Sequence, residues 1–342
     1  MDHSHKAAEE AQFFDLAHEG AHIRAISNSL SGDPLGLKEL HPRSIVVLVS
    51  SERARRAAEL AISLNEPLPL PVLITHTLPD YIGPLDVLCA AGPQLQEEHL
   101  QAISIAAQRG CPTVVVGCGQ GLAEDDLPSA VLRAELPAGG AHPEKISLSR
   151  VVIAVHQLIH QASGKSEENY GELADAVDQE LESCAPNRDE VLNPARQLAL
   201  AASGHRVLHT FEPRCPQIPR AVARCVAAEW AAKAMSCGLV EPVELSEVLV
   251  AEAEASRSGE VDDIFYDPLI DGPAAVLPLR VVVWSSTLAD AGAEALHVPA
   301  GARIEIPSEV HEQALSPLAI ALTLMVRGVA AAIYDGEEAE EK

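Results

Sequence analysis

Ser44-Ile45-Val46-Val47-Leu48-Val49-Ser50-Ser51 opens the stretch, Arg43 to Gly121, whose reading decides the fold. It runs straight into Glu52-Arg53-Ala54-Arg55-Arg56-Ala57-Ala58-Glu59-Leu60-Ala61-Ile62, a helical pattern. Pro71-Val72-Leu73-Ile74-Thr75-His76 and Asp86-Val87-Leu88-Cys89-Ala90-Ala91-Gly92 follow, then a helical segment from Gln94 to Arg109, then Pro112-Thr113-Val114-Val115-Val116-Gly117. Short β-branched runs without polar alternation are strands covered on both faces, which means a parallel sheet. The intervening helices supply the covering layers. In such sheets ligands sit off the carboxyl ends of the strands. Three places are singled out: Ser50-Ser51, Gly92-Pro93-Gln94 and Gly117-Cys118-Gly119-Gln120-Gly121.

Composition narrows the function classes. A length of 342 residues suits two domains, each with a substantial core. The apolar share is 47%, yet no uncharged apolar run of about 18 residues occurs, so no membrane span is expected. The first ten residues lack a basic start and an apolar core, unlike a secretion signal, and a cytoplasmic location is expected. A net charge of −26 argues against nucleic acid or an anionic membrane surface as partner, because both need clustered Lys and Arg. One phosphate on a small ligand is still compatible, since a few amides and hydroxyls hold it. Seven cysteines with no CxxC pair read as buried reduced thiols, and no cofactor or metal is called for.

Taken in order, residues 6 to 30 carry helical spacing and are expected to pack on the first domain, with Ser31-Gly32-Asp33-Pro34 as the break. Ala130 to Leu136 reads as a short extra strand and Ile146 to Gln161 as an apolar exit helix. The polar, glycine-bearing Ser163 to Asn169 is the linker. Beyond it, helices at Leu173–Ser183 and Val191–Ala202 precede a strand at Arg206–Phe211 and a long helix from Arg220 to Ser236. Glu241 to Arg257 is helical and acidic. Val276 to Trp284 is a strand whose first half, broken by Pro278, is expected at a sheet edge. Short strands at Gly292–Pro299 and Ala302–Ile306 lead to a closing helix, Leu315 to Ile333, interrupted by Arg327. The expected division is therefore 1–35 (helical segment), 36–163 (first α/β domain), 164–335 (second) and 336–342 (acidic tail).

Two consecutive α/β domains of this outline suggest the sugar isomerase (SIS) fold. Pro71 to Ala91, with Leu78-Pro79-Asp80-Tyr81-Ile82-Gly83-Pro84-Leu85-Asp86 at its centre, resembles the bifunctional phosphoglucose/phosphomannose isomerases, and Gln108 to Val116 continues the likeness. The resemblance implies two three-layer SIS domains with mostly parallel sheets, a homodimer, and aldose–ketose isomerisation of hexose 6-phosphates. It implies a hydroxyl-rich phosphate turn, a glutamate moving a proton between C1 and C2, and a partner-subunit histidine assisting ring opening. The sequence departs from that pattern at each point. Val49-Ser50-Ser51 keeps the serine of the family's first loop and loses its glycines. Ala90-Ala91-Gly92-Pro93-Gln94 lacks the hydroxyls of the phosphate turn, and Pro93 removes an amide donor. Glu229-Trp230 puts Trp230 on the base position with Glu229 one residue away, and Glu241 to Glu254 contains no histidine.

Each candidate has two readings. Ser50 and Ser51 form an anion position at a strand end or cap a helix. Gly92 and Gln94 face a ligand or make a tight turn. Glu229 is a displaced base or a surface carboxylate, with His205 or His209 as its conceivable partner. His156 and His160, four apart on a helix, could share a metal, but with no carboxylate partner expected beside them they read as core or interface histidines. Gly117-x-Gly119-x-Gly121 followed by Leu122 and acidic residues is not a dinucleotide loop. The expectation is a sugar-phosphate-binding SIS-fold protein with worn catalytic motifs and little or no isomerase activity. Its alternatives are an isomerase with relocated groups and a non-catalytic regulator or scaffold.

Overall fold

A computed structural model of the protein describes residues 2–116, 127–137, 147–166, 168–214, 216–258, 277–286, 301–308 and 315–334. The strand expected at Gly292–Pro299, the glycine-bearing segment Gly117–Gly121 and the acidic tail lie outside them.

Two helices, α1 (Asp2–Leu16) and α2 (Glu19–Ser29), and the short α3 (Leu37–Leu40) precede the first sheet. That sheet is built from β1 (Ser44–Val49), β2 (Val72–Thr75), β3 (Asp86–Ala91), β4 (Thr113–Val116) and β5 (Leu132–Arg133), with α4 (Glu52–Leu64) and α5 (Glu97–Gln108) between strands. Its order is β2-β1-β3-β4-β5 and every pairing is parallel. α6 (Leu148–Ala162), α7 (Tyr170–Ser183) and α8 (Pro194–Ala202) lead to a second sheet of β6 (Arg206–Phe211), β7 (Cys237–Leu239), β8 (Leu279–Trp284) and β9 (Arg303–Glu305). Its order, β7-β6-β8-β9, is again parallel throughout. α9 (Gln217–Ala232), α10 (Leu245–Ser258) and the closing α11 (Pro317–Tyr334) complete the chain.

The absence of alternation in the strands has the physical cause expected. Successive side chains point to opposite faces, and both faces of the first sheet are buried. Ile45, Val47, Val49, Val87 and Cys89 join the large core with α4 and α6, whereas Val46, Leu48, Leu88 and Ala90 pack on Ala102, Ile103 and Ala106 of α5. The second sheet divides likewise. Val207, Phe211, Val282 and Trp284 enter the large core, and Val281 and Val283 meet Leu245 and its neighbours on α10. Each sheet is thus the middle of three layers, and one continuous core runs between the two.

One expectation needs correction. Pro278 does not break the strand: β8 starts at Leu279 and Pro278 precedes it, its carbonyl accepting from the Arg206 amide (2.9 Å), while residues 279–281 pair with β6 alone, as an edge does, and residues 282–284 pair with β9 as well. The missing N–H therefore costs the ladder nothing. The helical start of the chain also reaches beyond the first sheet's layers. α2 packs on both α6 and α7, with Arg24 donating to Asp178 (2.8 Å), and α1 lies along α11. α11 has the length and apolarity of a membrane span, but it is buried almost throughout. Its Arg327 is matched inside the protein by Glu180 (2.7 Å) and Glu305 (3.0 Å).

The Leu78–Asp86 motif has a scaffold role. Asp86 is buried and accepts from Arg43 Nε (3.1 Å) and Nη2 (2.6 Å), Ser44 Oγ (2.7 Å) and the Gly83 amide (3.0 Å). Burial pushes its pKa up, but the bonds from Arg43 and Ser44 outweigh that and hold it below the ordinary carboxylate value. The motif fixes the entry of β3.

Candidate functional site

The carboxyl edge of the first sheet begins with Ser50 and Ser51. Ser51 is the N-cap of α4: its backbone is extended and its Oγ accepts from the Ala54 amide (3.2 Å). Ser50 Oγ is buried with no hydrogen-bond partner among the described residues. It sits directly over Gly92, where a Cβ would come within 1.7 Å of it. Gly92 is therefore required by close approach of the neighbouring strand end. Gln94 is exposed on the way to α5.

Three residues after Ser50, Arg53 enters a cavity of about 210 Å³. Its other walls are Gln12, Asp15 and Leu16 of α1, Glu19 and His22 of α2, Ser147 at the start of α6, Glu229 and Ala232 of α9 with Lys233 at its C-cap, and Val329, Ala332 and Ile333 of α11. Since α4 leaves the carboxyl end of β1 and α9 runs toward the start of β7, the cavity lies between the carboxyl edge of one sheet and the amino edge of the other. Ser50, Ser51, Gly92 and Gln94 do not line it; Glu229 does.

Glu229 is not a surface carboxylate. It is 5% exposed and takes a 2.6 Å charge-assisted bond from Arg53 Nε, which links α9 to the first turn of α4. Lys233, one turn on, donates to Gln12. Glu19 is buried at the N-terminus of α6, accepting from Ser147 Oγ (2.9 Å) and the Ser149 amide (2.9 Å). Burial raises its pKa despite those bonds. His22 is pushed down to about 4 by burial, with Arg150 and His18 adding to the effect, and its Nδ1 is buried without a partner among the described residues. The cavity thus presents a carboxylate fixed by a guanidinium, a carboxyl biased toward its protonated form, a neutral imidazole and an ammonium.

The other candidates are elsewhere. Trp230 is in the core, donating to the Gly328 carbonyl (2.8 Å) and meeting the His209 ring edge-on at 4.8 Å. His209 accepts from Trp284 Nε1 (3.1 Å), so its proton is on Nε2, and burial lowers its pKa to about 3. His205 is held between the Ser203 carbonyl (2.6 Å) and Arg280 (3.1 Å). Neither lines the Glu229 cavity. The five described cysteines are unpaired; Cys89 and Cys111 are pushed up to about 12 by burial, as inert thiols should be. His156 and His160 do have a carboxylate beside them, which their helical spacing alone did not suggest: Glu168 Oε1 is 3.8 Å from His156 Nε2.

Glu229 and Lys233 could have been read together, because Lys233 caps α9 four residues, about one turn, after Glu229. Arg53 had a weaker signal, its place in the first turn after a strand end. Glu19 and His22 had none: nothing in α2 announces which helices it meets.

The fold is shared with solved structures of other proteins. The C-terminal domain of glucosamine-fructose-6-phosphate aminotransferase from Francisella tularensis aligns over 94% of this chain and 95% of its own at a TM-score of 0.57 and 11% identity. Tagatose-6-phosphate ketose/aldose isomerase from Escherichia coli aligns over 94% and 90% at 0.58 and 11%. Glucosamine-6-phosphate deaminase from Thermotoga maritima aligns over 94% of both chains at 0.54 and 12%. At such identities the likeness carries the fold. No family model and no curated protein sequence matches the chain.

Proposed function

We propose that the protein binds a phosphorylated sugar in the Glu229 cavity and isomerises it slowly or not at all. The observation behind this is the site's position and donor set together. It lies off the carboxyl end of β1, where α/β sheets bind ligands, and it offers Arg53 and Lys233 to an anion and Glu19, Glu229 and the unpartnered His22 Nδ1 to hydroxyls. The proteins of similar fold named above act, by their names, on sugar phosphates.

Weak turnover follows from what the same groups are already doing. Glu229 is tied to Arg53, and His22, neutral at pH 7, is a poor acid for ring opening. Ser51 spends its hydroxyl on a helix cap, and Pro93 offers no amide. The cavity, about 210 Å³, is also below the roughly 300–1,000 Å³ of typical ligand sites. A thermal-shift panel of triose to hexose phosphates, with inorganic phosphate alongside, tests binding; stabilisation by none of them overturns it. A coupled assay on glucose 6-phosphate and mannose 6-phosphate tests turnover, and rates within the usual enzyme range of about 1–10³ s⁻¹ would overturn that part.

A second reading, an active isomerase with relocated groups, is favoured by one observation: Glu229 is buried, oriented and shares its cavity with a carboxyl of raised pKa. Loss of a measured activity in Glu229→Gln would support it. Kinship with the phosphoglucose/phosphomannose isomerases, two SIS domains, a homodimer and a cytoplasmic setting complete the proposal; light scattering on the purified chain tests the dimer.

A further inference from the structure

We propose that His156, His160 and Glu168 form a site for a divalent transition-metal ion of the zinc type, clamping α6 to the connection that leads into α7. The two histidines are one turn apart on α6 with ring centroids 4.1 Å apart, and Glu168 comes from beyond the turn at the end of that helix. One donor atom from each of the three lies within 4.8 Å of the other two. Tetrahedral zinc with bonds of about 2.0–2.1 Å brings its donors to roughly 3.4 Å from one another, so small side-chain rotations close the set.

The outer contacts are those of metal ligands. His160 Nδ1 lies 3.4 Å from the Ser166 carbonyl, which can only accept, so the proton is on Nδ1 and the Nε2 lone pair is free. His156 Nδ1 has the Tyr170 hydroxyl at 3.3 Å, and its Nε2 faces Glu168. Such second partners fix ring orientation in metal sites. A cavity of about 390 Å³ adjoins the trio, lined also by Glu66, Asn65 and Lys165, and leaves room for a water or a fourth ligand. Lys165 is exposed and has solvent into which to turn its ammonium. Neutral nitrogens with one carboxylate suit zinc, cobalt(II) or nickel(II) over magnesium or calcium, which take oxygen.

The test uses the full chain, stripped with a chelator and titrated with Zn²⁺ alone, Mg²⁺ serving as control. The expected result is one ion per chain and a melting shift of about 4 °C at a hundredfold excess over Kd, with no shift from Mg²⁺. Cobalt(II) should give visible bands of a low-coordinate nitrogen–oxygen site without the thiolate charge-transfer band that a cysteine site would show. His160→Ala and Glu168→Gln, both at partly or fully exposed positions, should each weaken binding by at least the 10–100-fold that losing even a supporting partner costs. A His3→Ala/His5→Ala variant should bind as the parent does. A thiolate band, unchanged affinity in His160→Ala and Glu168→Gln, or loss of binding in the N-terminal variant would each overturn the assignment.

Discussion

Replacing Arg327 by methionine removes the most buried guanidinium of a charge cluster, and the structure sets the size of the effect. The side chains of Arg327, Glu180 and Glu305 are 5%, 1% and 2% exposed. Arg327 bonds Glu180 through Nε (2.7 Å), Glu305 and the Ile306 carbonyl through Nη1 (3.0 and 2.7 Å), and Ser308 Oγ through Nη2 (2.6 Å), so one residue ties α11 to α7 and β9. In Arg327→Met, Glu305 keeps Arg303 at 2.7 Å, but among the described residues Glu180 keeps only the Ser308 hydroxyl and a long contact from Cys184. One unpaired buried carboxylate costs about 3–5 kcal/mol. At roughly 2.1 cal/mol/K per residue, a cooperative unit of 342 residues loses about 1.4 °C per kcal/mol, giving a fall of about 4–7 °C. Circular-dichroism melts of the parent, Arg327→Met and Arg327→Met/Glu180→Met measure it. The double variant should recover most of the loss, because an apolar pair replaces the ion pair without leaving a stranded charge. A single variant within about 1 °C of the parent, or a double variant worse than the single, would refute this account of the cluster.

Gly328→Ala should cost about 1–3 kcal/mol through overpacking, less about 1 kcal/mol of helix propensity, since its Cβ would be 2.4 Å from Val226 Cγ2 and 3.0 Å from Trp284. Adding Val226→Ala should relieve it in urea denaturation; no relief would show that α9 and α11 are not in contact there. For His209, whose folded pKa is lowered to about 3, the stabilising neutral form is fully present above about 6.5 and is lost as pH falls below that. The loss approaches about 2 kcal/mol at pH 5. His209→Asn, which keeps an acceptor for Trp284, should flatten the pH 7 to 5 stability profile by that amount, and an equally steep profile would contradict the assignment.

Both sheets were legible because parallel strands buried on two faces have no polar alternation to confuse the reading, as Ile45–Val49 and Val87–Ala91 show. β7, three half-buried residues at an edge, carried too little signal, and Pro278 misled because its effect depends on whether it falls inside or just before a strand. The site was legible only in part. Glu229 could be singled out, but not its burial, because that depends on α1 and α4 closing over α9. The serines of the strand end drew attention for their residue type, whereas the structure occupies Ser51 with a cap and places Ser50 over Gly92. Contacts between residues over a hundred apart, such as Arg53 with Glu229, leave no local pattern.

Calorimetric titration of the full chain with a sugar phosphate, repeated on Lys233→Gln, probes the cavity itself. The account predicts saturable binding to the parent that exceeds binding of inorganic phosphate, weakened about tenfold or more when the exposed Lys233 loses its charge. Saturable binding that is indifferent to Lys233, or none at millimolar ligand, would contradict it.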